Sequence, residues 1–119
     1  GGRLESLVRF GETPAADEVP PAWHDGIIHA SLNLRGRRLM GADMIGDCYE
    51  APQGARVALE YEEEAEAERV FRRLAEGGRV TMPFEPTFWA QRFGMLTDRF
   101  GVHWMIGYRT LRCLEEETP

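Results

Sequence analysis

Few side chains in this sequence could bind or transform a small molecule, and a histidine and an arginine are the first candidates. His29 falls on the polar face of a predicted strand, and an imidazole with an ordinary pKa of about 6.5 can accept or donate a proton near neutral pH. It could equally be a structural histidine bonded to a neighbouring strand or loop. Arg56 could clamp a carboxylate or a phosphonate, or it could pair with Glu60 on the same face of its strand.

An aromatic pair, Phe88 and Trp89, follows Pro86 in a predicted connection between strands. Aromatic side chains are enriched both in apolar pockets and at protein interfaces. The pair could therefore form the wall of a pocket, a dimer contact, or local packing over the core. Nothing beyond the presence of the residues supports a Ser/His/Asp or Cys/His arrangement for nucleophilic catalysis, so no catalytic residue is assigned.

Composition narrows the class of partner. The 119 residues include 14 basic and 20 acidic side chains, which gives a net charge of -6 and an acidic isoelectric point. Nucleic acids and anionic membrane surfaces repel such a domain, so neither is expected as a partner. Hydrophobic residues make up 43% and charged residues 29%, as in an ordinary globular domain.

The expected location is the cytoplasm. No apolar run approaches the roughly 20 residues of a membrane span, and no signal peptide is visible at the start. The two cysteines, Cys48 and Cys113, do not have the spacing of a redox or zinc motif. They are expected to be reduced thiols, as is usual inside cells.

Hydrophobic periodicity predicts an α+β fold. Apolar residues alternate with a period of two in seven stretches, which predicts strands over 4–10, 27–35, 38–42, 56–61, 79–84, 93–97 and 102–108. After the acidic run 62–64, an apolar stripe at helical spacing predicts a helix that ends at Gly77 and Gly78. The second half is therefore a complete β-α-β-β-β unit, whereas the first half has only the last three strands of such a unit.

Several stretches carry a family resemblance. The most specific are MPFEPTFW at 82–89 and RFGMLTDRFGVHWMI at 92–106, supported by FGETP at 10–14, IHA at 28–30 and AEAERVF at 65–71. With the element order, they resemble the vicinal oxygen chelate superfamily (glyoxalase, bleomycin resistance protein, extradiol dioxygenase). Within it the chain is most similar to the PhnB-like, or demethylubiquinone methyltransferase-like, branch.

The resemblance implies a fold of paired βαβββ modules, in which a curved mixed sheet wraps around a cleft. Residues 1–119 would form a single glyoxalase-like domain, N-terminally incomplete because the first strand and helix of module one are missing from this chain. Residues 1–54 would be the remnant of module one and a loop, 55–114 module two, and 115–119 an acidic tail. The resemblance also implies a homodimer.

The resemblance also bears on metal binding. Catalytic members of the superfamily hold a divalent metal with His, Glu or similar ligands from four strands. One ligand position aligns with Arg56, and the last aligns with Met105. A guanidinium cannot coordinate a metal, and a thioether is too soft and neutral to replace a carboxylate for a hard divalent ion. We therefore expect no metal and no other cofactor.

The main hypothesis is a metal-free protein that binds a small, partly aromatic ligand in a cleft. The alternation of residues places His103 and Met105 in this cleft, with His103 expected to be structural. The proposed ligand-binding residues are His29, Arg56, Phe88, Trp89, Met95 and Met105. The alternative is a metal-dependent lyase, isomerase or dioxygenase-type enzyme that uses a non-standard site made from His29, Asp43, Asp47 and Glu50. A structural domain without a ligand is the third possibility.

Overall fold

A computed structural model of the chain describes residues 2–46 and 49–111. These residues form two compact units, which divide between Glu50 and Ala51. The first unit contains β1 (Arg3–Arg9), β2 (Ile27–Leu34) and β3 (Arg37–Gly41). The second unit contains β4 (Val57–Tyr61), α1 (Glu64–Ala75), β5 (Arg79–Glu85), β6 (Ala90–Thr97) and β7 (His103–Thr110). This content and order confirm the predicted α+β class and the complete β-α-β-β-β unit.

The first unit is an antiparallel sheet in the order β1-β2-β3. A tight turn joins β2 to β3, with positive φ angles of 54° at Arg35 and 87° at Gly36. Two consecutive positive φ angles are typical of the two-residue hairpin turn whose twist matches that of the strands. The Asn33 side chain accepts a hydrogen bond from the Gly36 amide at 2.8 Å, which closes the turn.

For the connection from β1 to β2, the prolines predict a loop with a helical turn near residues 21–23, and the connection has this turn and two more. It contains three short 3-10 helices, Phe10–Glu12, Pro14–Glu18 and Pro21–Trp23. Prolines begin two of them, where the fixed φ suits a first helical position. The ring of His24 reaches across the connection, because its Nε2 lies 2.9 Å from the carbonyl oxygens of both Ala16 and Val19.

The second unit is a mixed sheet in the order β4-β7-β6-β5. The β4–β7 pair is parallel, and the other two pairs are antiparallel. Helix α1 covers one face, where a buried cluster forms the core. Its members are Ala67, Phe71, Phe84, Leu96 and Ile106, with Leu59, Tyr61 and Trp104 packed against them. Alternation along the chain predicts a core face made of Val57, Leu59, Tyr61, Val102, Trp104 and Ile106. The cluster confirms this prediction except for Val102, which is not part of it, and Val57, which is 40% exposed.

Arg92, which the sequence analysis did not identify, connects helix α1 to the sheet. The Arg92 guanidinium lies 3.3 Å from a carboxylate oxygen of Glu64 and 3.4 Å from one of Glu68. It also donates to the Phe84 carbonyl at 2.8 Å and stacks 4.3 Å from the centre of the Phe84 ring. These contacts explain the 22% exposure of the Arg92 side chain in spite of its charge.

Asp98 and Gly101, at the first and fourth positions of a turn, predict a hairpin between the last two strands. The hairpin is present between β6 and β7, and Asp98 organises it. One Asp98 carboxylate oxygen accepts hydrogen bonds from the Phe100 and Val102 amides, and the other accepts from the Trp104 ring at 2.8 Å. Burial disfavours the charged carboxylate, but these hydrogen bonds outweigh it. The pKa of Asp98 therefore lies below its ordinary value of 3.8.

Strand β6 begins at Ala90, earlier than the predicted residue 93. The Thr87 hydroxyl accepts from the Ala90 amide at 3.1 Å, and the Thr87 amide donates to the Ala90 carbonyl at 3.1 Å. These two hydrogen bonds close a four-residue turn from Thr87 to Ala90, so strand pairing of β6 begins at Ala90. Among the described residues, no helix has the length and apolar character to cross a membrane.

Candidate functional site

A hollow of about 370 Å³ lies in the second unit. This hollow is lined by Gln53, Gly54, Ala55, Arg56, His103 and Met105. On β7, Trp104 and Ile106 pack toward helix α1. Since side chains alternate along a strand, His103 and Met105 point to the opposite face. The hollow is therefore on the sheet face that the helix leaves uncovered.

Arg56 is exposed directly before β4 and supplies the positive charge of the hollow. Among the described residues, none forms an ion pair with its guanidinium. The alternative pairing with Glu60 does not occur. One oxygen of the Glu60 carboxylate instead accepts hydrogen bonds from the Thr110 amide at 2.9 Å and from the Thr110 hydroxyl. The Arg56 guanidinium can therefore meet a ligand.

Both ring nitrogens of His103 are engaged with the protein. Its Nε2 lies 2.8 Å from the Pro52 carbonyl oxygen, and its Nδ1 lies 2.9 Å from the Thr97 hydroxyl. Because a carbonyl oxygen can only accept, Nε2 carries the hydrogen. In the neutral ring, Nδ1 then accepts from Thr97. His103 fits the expected structural role, and it also joins the segment before β4 to strand β7.

Two methionines extend the apolar side of the hollow. Met105 lines it, and Met95 is the residue directly opposite on β6. Directly paired residues of antiparallel strands project to the same face of a sheet. Met95 therefore lies on the same face as Met105. Both are partly buried, and their thioethers can adapt to the shape of an apolar or aromatic ligand.

The aromatic pair lies further along the same sheet. Trp89 contacts Phe88 edge-to-face at 4.8 Å and Phe93 at 5.4 Å, and Phe88 is 89% exposed. Phe93 pairs with Gly107 on β7, four residues from His103, which is about 13 Å along a strand. The structure thus does not bring Phe88 and Trp89 into the hollow with Arg56; they form a separate aromatic cluster.

His29 belongs to the first unit, whereas the other five predicted ligand-binding residues belong to the second. It is exposed on β2 and faces Val8 of β1 in the register. Two residues along the strand, Ser31 is only 5% exposed, and its hydroxyl has no hydrogen-bond partner among the described residues. The sequence did not indicate that Ser31 is buried.

The residues of the alternative metal site do not form a ligand cluster in the described part of the chain. The Asp43 carboxylate accepts a hydrogen bond from the Ile27 amide at 2.7 Å, and Glu50 is exposed. Asp47 lies outside the described residues, as do Cys48 and Cys113. Within residues 2–46 and 49–111, no group of three or more His, Cys, Asp or Glu could hold a metal ion.

The donors at the hollow do not fit a divalent metal either. Arg56 is a cation without a lone pair to offer, and the Met105 thioether is a poor ligand for a hard ion. His103 offers the one imidazole in the lining, and both of its nitrogens are already bonded to the protein. Apart from the Gln53 amide oxygen, the lining residues therefore offer no free side-chain donor to a divalent metal.

The sequence did not indicate the contribution of the segment before β4. Gln53, Gly54 and Ala55 carry no apolar pattern, and the hydrogen bond between Pro52 and His103 joins their segment to β7. The available signal was the turn composition around Pro52 and Gly54, which indicates a loop but not the strand that the loop contacts.

Comparisons with known proteins give a consistent result. Residues 9–106 match the family model described as the Glyoxalase/Bleomycin resistance protein/Dioxygenase superfamily. Protein YjdN of Escherichia coli K12 is 32% identical over 114 residues, which cover 89% of this chain and 78% of YjdN.

Two solved structures are also similar. Protein PA1353 from Pseudomonas aeruginosa is 46% identical, with a TM-score of 0.79, over 92% of this chain and 80% of its own. A PhnB protein from Bacillus cereus, for which a 3-demethylubiquinone-9 3-methyltransferase activity has been suggested, is 28% identical with a TM-score of 0.72. That match covers 93% of this chain and 80% of the PhnB protein.

Proposed function

Since the chain belongs to the glyoxalase, bleomycin resistance protein and dioxygenase superfamily, we propose that it binds a small, partly aromatic ligand in the hollow without a metal ion. One observation carries the proposal. Arg56 and Met105 both line the hollow, and the family resemblance aligns them with metal-ligand positions of catalytic members. A ligand would meet a cation and a thioether where catalytic relatives present donors to a metal.

The dimensions and lining of the hollow support this proposal. Its volume of about 370 Å³ is within the range of small-molecule pockets, which runs from about 300 to 1,000 Å³. Met105, with Met95 beside it, offers polarizable contacts to an aromatic ring. The aromatic cluster of Phe88, Trp89 and Phe93 would contact the far end of a longer ligand.

The methyltransferase activity suggested for the Bacillus cereus relative is not proposed for this chain. Nucleotide-like cofactors commonly bind at the strand ends of a doubly wound parallel sheet. Among the described strands, the one parallel pair is β4–β7. We propose in addition that the protein acts in the cytoplasm as a homodimer. The net charge of -6 argues against nucleic acid as a partner.

Thermal shift assays in the presence of a chelator test the proposal. A panel of small aromatic acids, amides and phosphonates should contain compounds that raise the melting temperature with metals removed. A ligand at 100 times its dissociation constant stabilises the folded state by about 2.7 kcal/mol. Met105→Ala should reduce the shift, and Phe100→Ala, which alters an exposed hairpin residue, should leave it unchanged. Shifts that occur only after a divalent metal is added would contradict the proposal.

A further inference from the structure

We infer that the ligand of the hollow is an organic oxyanion, a carboxylate or a phosphonate on an apolar body, and that Arg56 binds it. His103 acts as a positioning residue, because it holds the loop that leads into Arg56. The inference rests on the proposed function, because it concerns the same hollow. Beyond the proposed function, the inference specifies the charge of the ligand and identifies the residue that positions the loop before β4.

The charge of the lining supports the inference that the ligand is an oxyanion. Arg56 is the one formally charged side chain among the six lining residues, and no carboxylate accompanies it. The nearby Glu60 carboxylate is engaged with Thr110. Other arginines of the described residues, such as Arg69 and Arg79, also have no ion pair, but Arg56 is the one that lines the hollow. The planar guanidinium matches the two oxygens of a carboxylate or phosphonate with parallel hydrogen bonds.

The hydrogen bonds of His103 carry the second part. Residues 51–55 are exposed, and within the described chain a single hydrogen bond joins them to the sheet, from His103 Nε2 to the Pro52 carbonyl. The Thr97 hydroxyl holds the other side of the ring at 2.9 Å. The chain from Thr97 through His103 to Pro52 therefore connects the β6–β7 hairpin to the segment that leads into Arg56.

The tether should act on affinity through preorganisation. A loop that is already fixed loses less conformational freedom when a ligand binds than a mobile loop does. Gly54 has a positive φ of 79°, so the path of the segment depends on a backbone geometry that glycine adopts readily. Without the Pro52 contact, Gln53, Gly54 and the start of β4 should move more freely, and the guanidinium would have to be ordered by the ligand.

Calorimetric titrations of the full chain, with metals removed by EDTA, test the oxyanion. The probes are benzoate, phenylphosphonate and the neutral benzamide. We expect benzoate or phenylphosphonate to bind at least about tenfold more tightly than benzamide, because hydrogen bonds to charged groups are the stronger ones. Arg56→Gln should remove this preference, and Arg56→Lys should retain part of it. Equal affinity for benzoate and benzamide would contradict the inference that the ligand is an oxyanion, but it would not contradict the proposed function.

Two amide substitutions of His103 test its positioning role. His103→Gln places an amide N–H near the Nε2 position and should keep the hydrogen bond to Pro52. His103→Asn reaches only the Nδ1 position, so it should keep the Thr97 contact and lose the one to Pro52. We expect His103→Asn to weaken binding of the oxyanion probe by roughly three- to tenfold, whereas His103→Gln should bind nearly as the unaltered chain does.

Backbone relaxation measured by NMR provides a readout that does not depend on ligand. The order parameters of Gln53 and Gly54 should fall below about 0.6 in His103→Asn and remain near about 0.85 in His103→Gln. Equal order parameters in the two variants would overturn the positioning role. If no probe binds the unaltered chain, the proposed function and the oxyanion fail together, and the order parameters alone decide whether His103 fixes the loop.

Discussion

The double variant Arg56→His, Met105→Glu should retain close to one zinc ion per chain after loading and dialysis, whereas the unaltered chain should retain less than about a tenth. The reason is the chemistry of the donors. The two substitutions remove a cation and a thioether and introduce an imidazole directly before β4 and a carboxylate on β7, both in the lining of one hollow. With His103 released from one of its partners, three ligands would suffice for an open zinc site.

Single substitutions without donor character provide the controls. Arg56→Gln and Met105→Leu should both leave zinc retention as low as in the unaltered chain. Metal content per chain can be measured by atomic emission after dialysis against metal-free buffer, with nickel, manganese and iron loaded in parallel. Stoichiometric retention by the unaltered chain would show that Arg56 and Met105 do not decide metal binding.

Ile106→Ala should lower the free energy of unfolding by about 2–5 kcal/mol, the range found for large-to-small changes at fully buried sites. Ile106 has no exposed surface and sits in the cluster beneath helix α1. The loss combines the transfer free energy of the deleted carbons with the cost of the cavity that remains. Urea denaturation followed by circular dichroism measures it.

Val57→Ala is the matched control for this prediction. Val57 is a β-branched residue on the neighbouring strand β4, but it is 40% exposed. Its truncation should cost less than about 1 kcal/mol, which is the span of strand propensities. Equal losses for the two variants would mean that the α1 face of the sheet is not the core of the second unit.

The core of the second unit could be predicted because two periodicities agreed. The helical stripe containing Ala67 and Phe71 had to meet an apolar sheet face, and the alternation in β4 and β7 identified Leu59 and Ile106 on it. Arg56 and Met105 alternate with the core residues, so they were predicted on the opposite face of the sheet. Alternation is a local property of the chain, so a single sequence can reveal it.

The lining contributed by the loop before β4 could not be predicted. The Pro52 carbonyl meets a histidine 51 residues further along the chain, and no local pattern encodes such a partner. The same reason applies to Arg92, whose partners Glu64 and Phe84 belong to other elements. For Phe88 and Trp89 the sequence left open a pocket wall, a dimer contact and packing over the core, because their distance from the hollow depends on the strand register.

Diffraction at the zinc absorption edge, from crystals grown with both zinc and benzoate, is the most direct test of whether the hollow holds an organic molecule in place of a metal. We expect a benzoate carboxylate at about 2.8 Å from the Arg56 guanidinium and no anomalous peak between β4 and β7. A zinc peak bonded to His103, with no organic ligand at Arg56, would contradict the account.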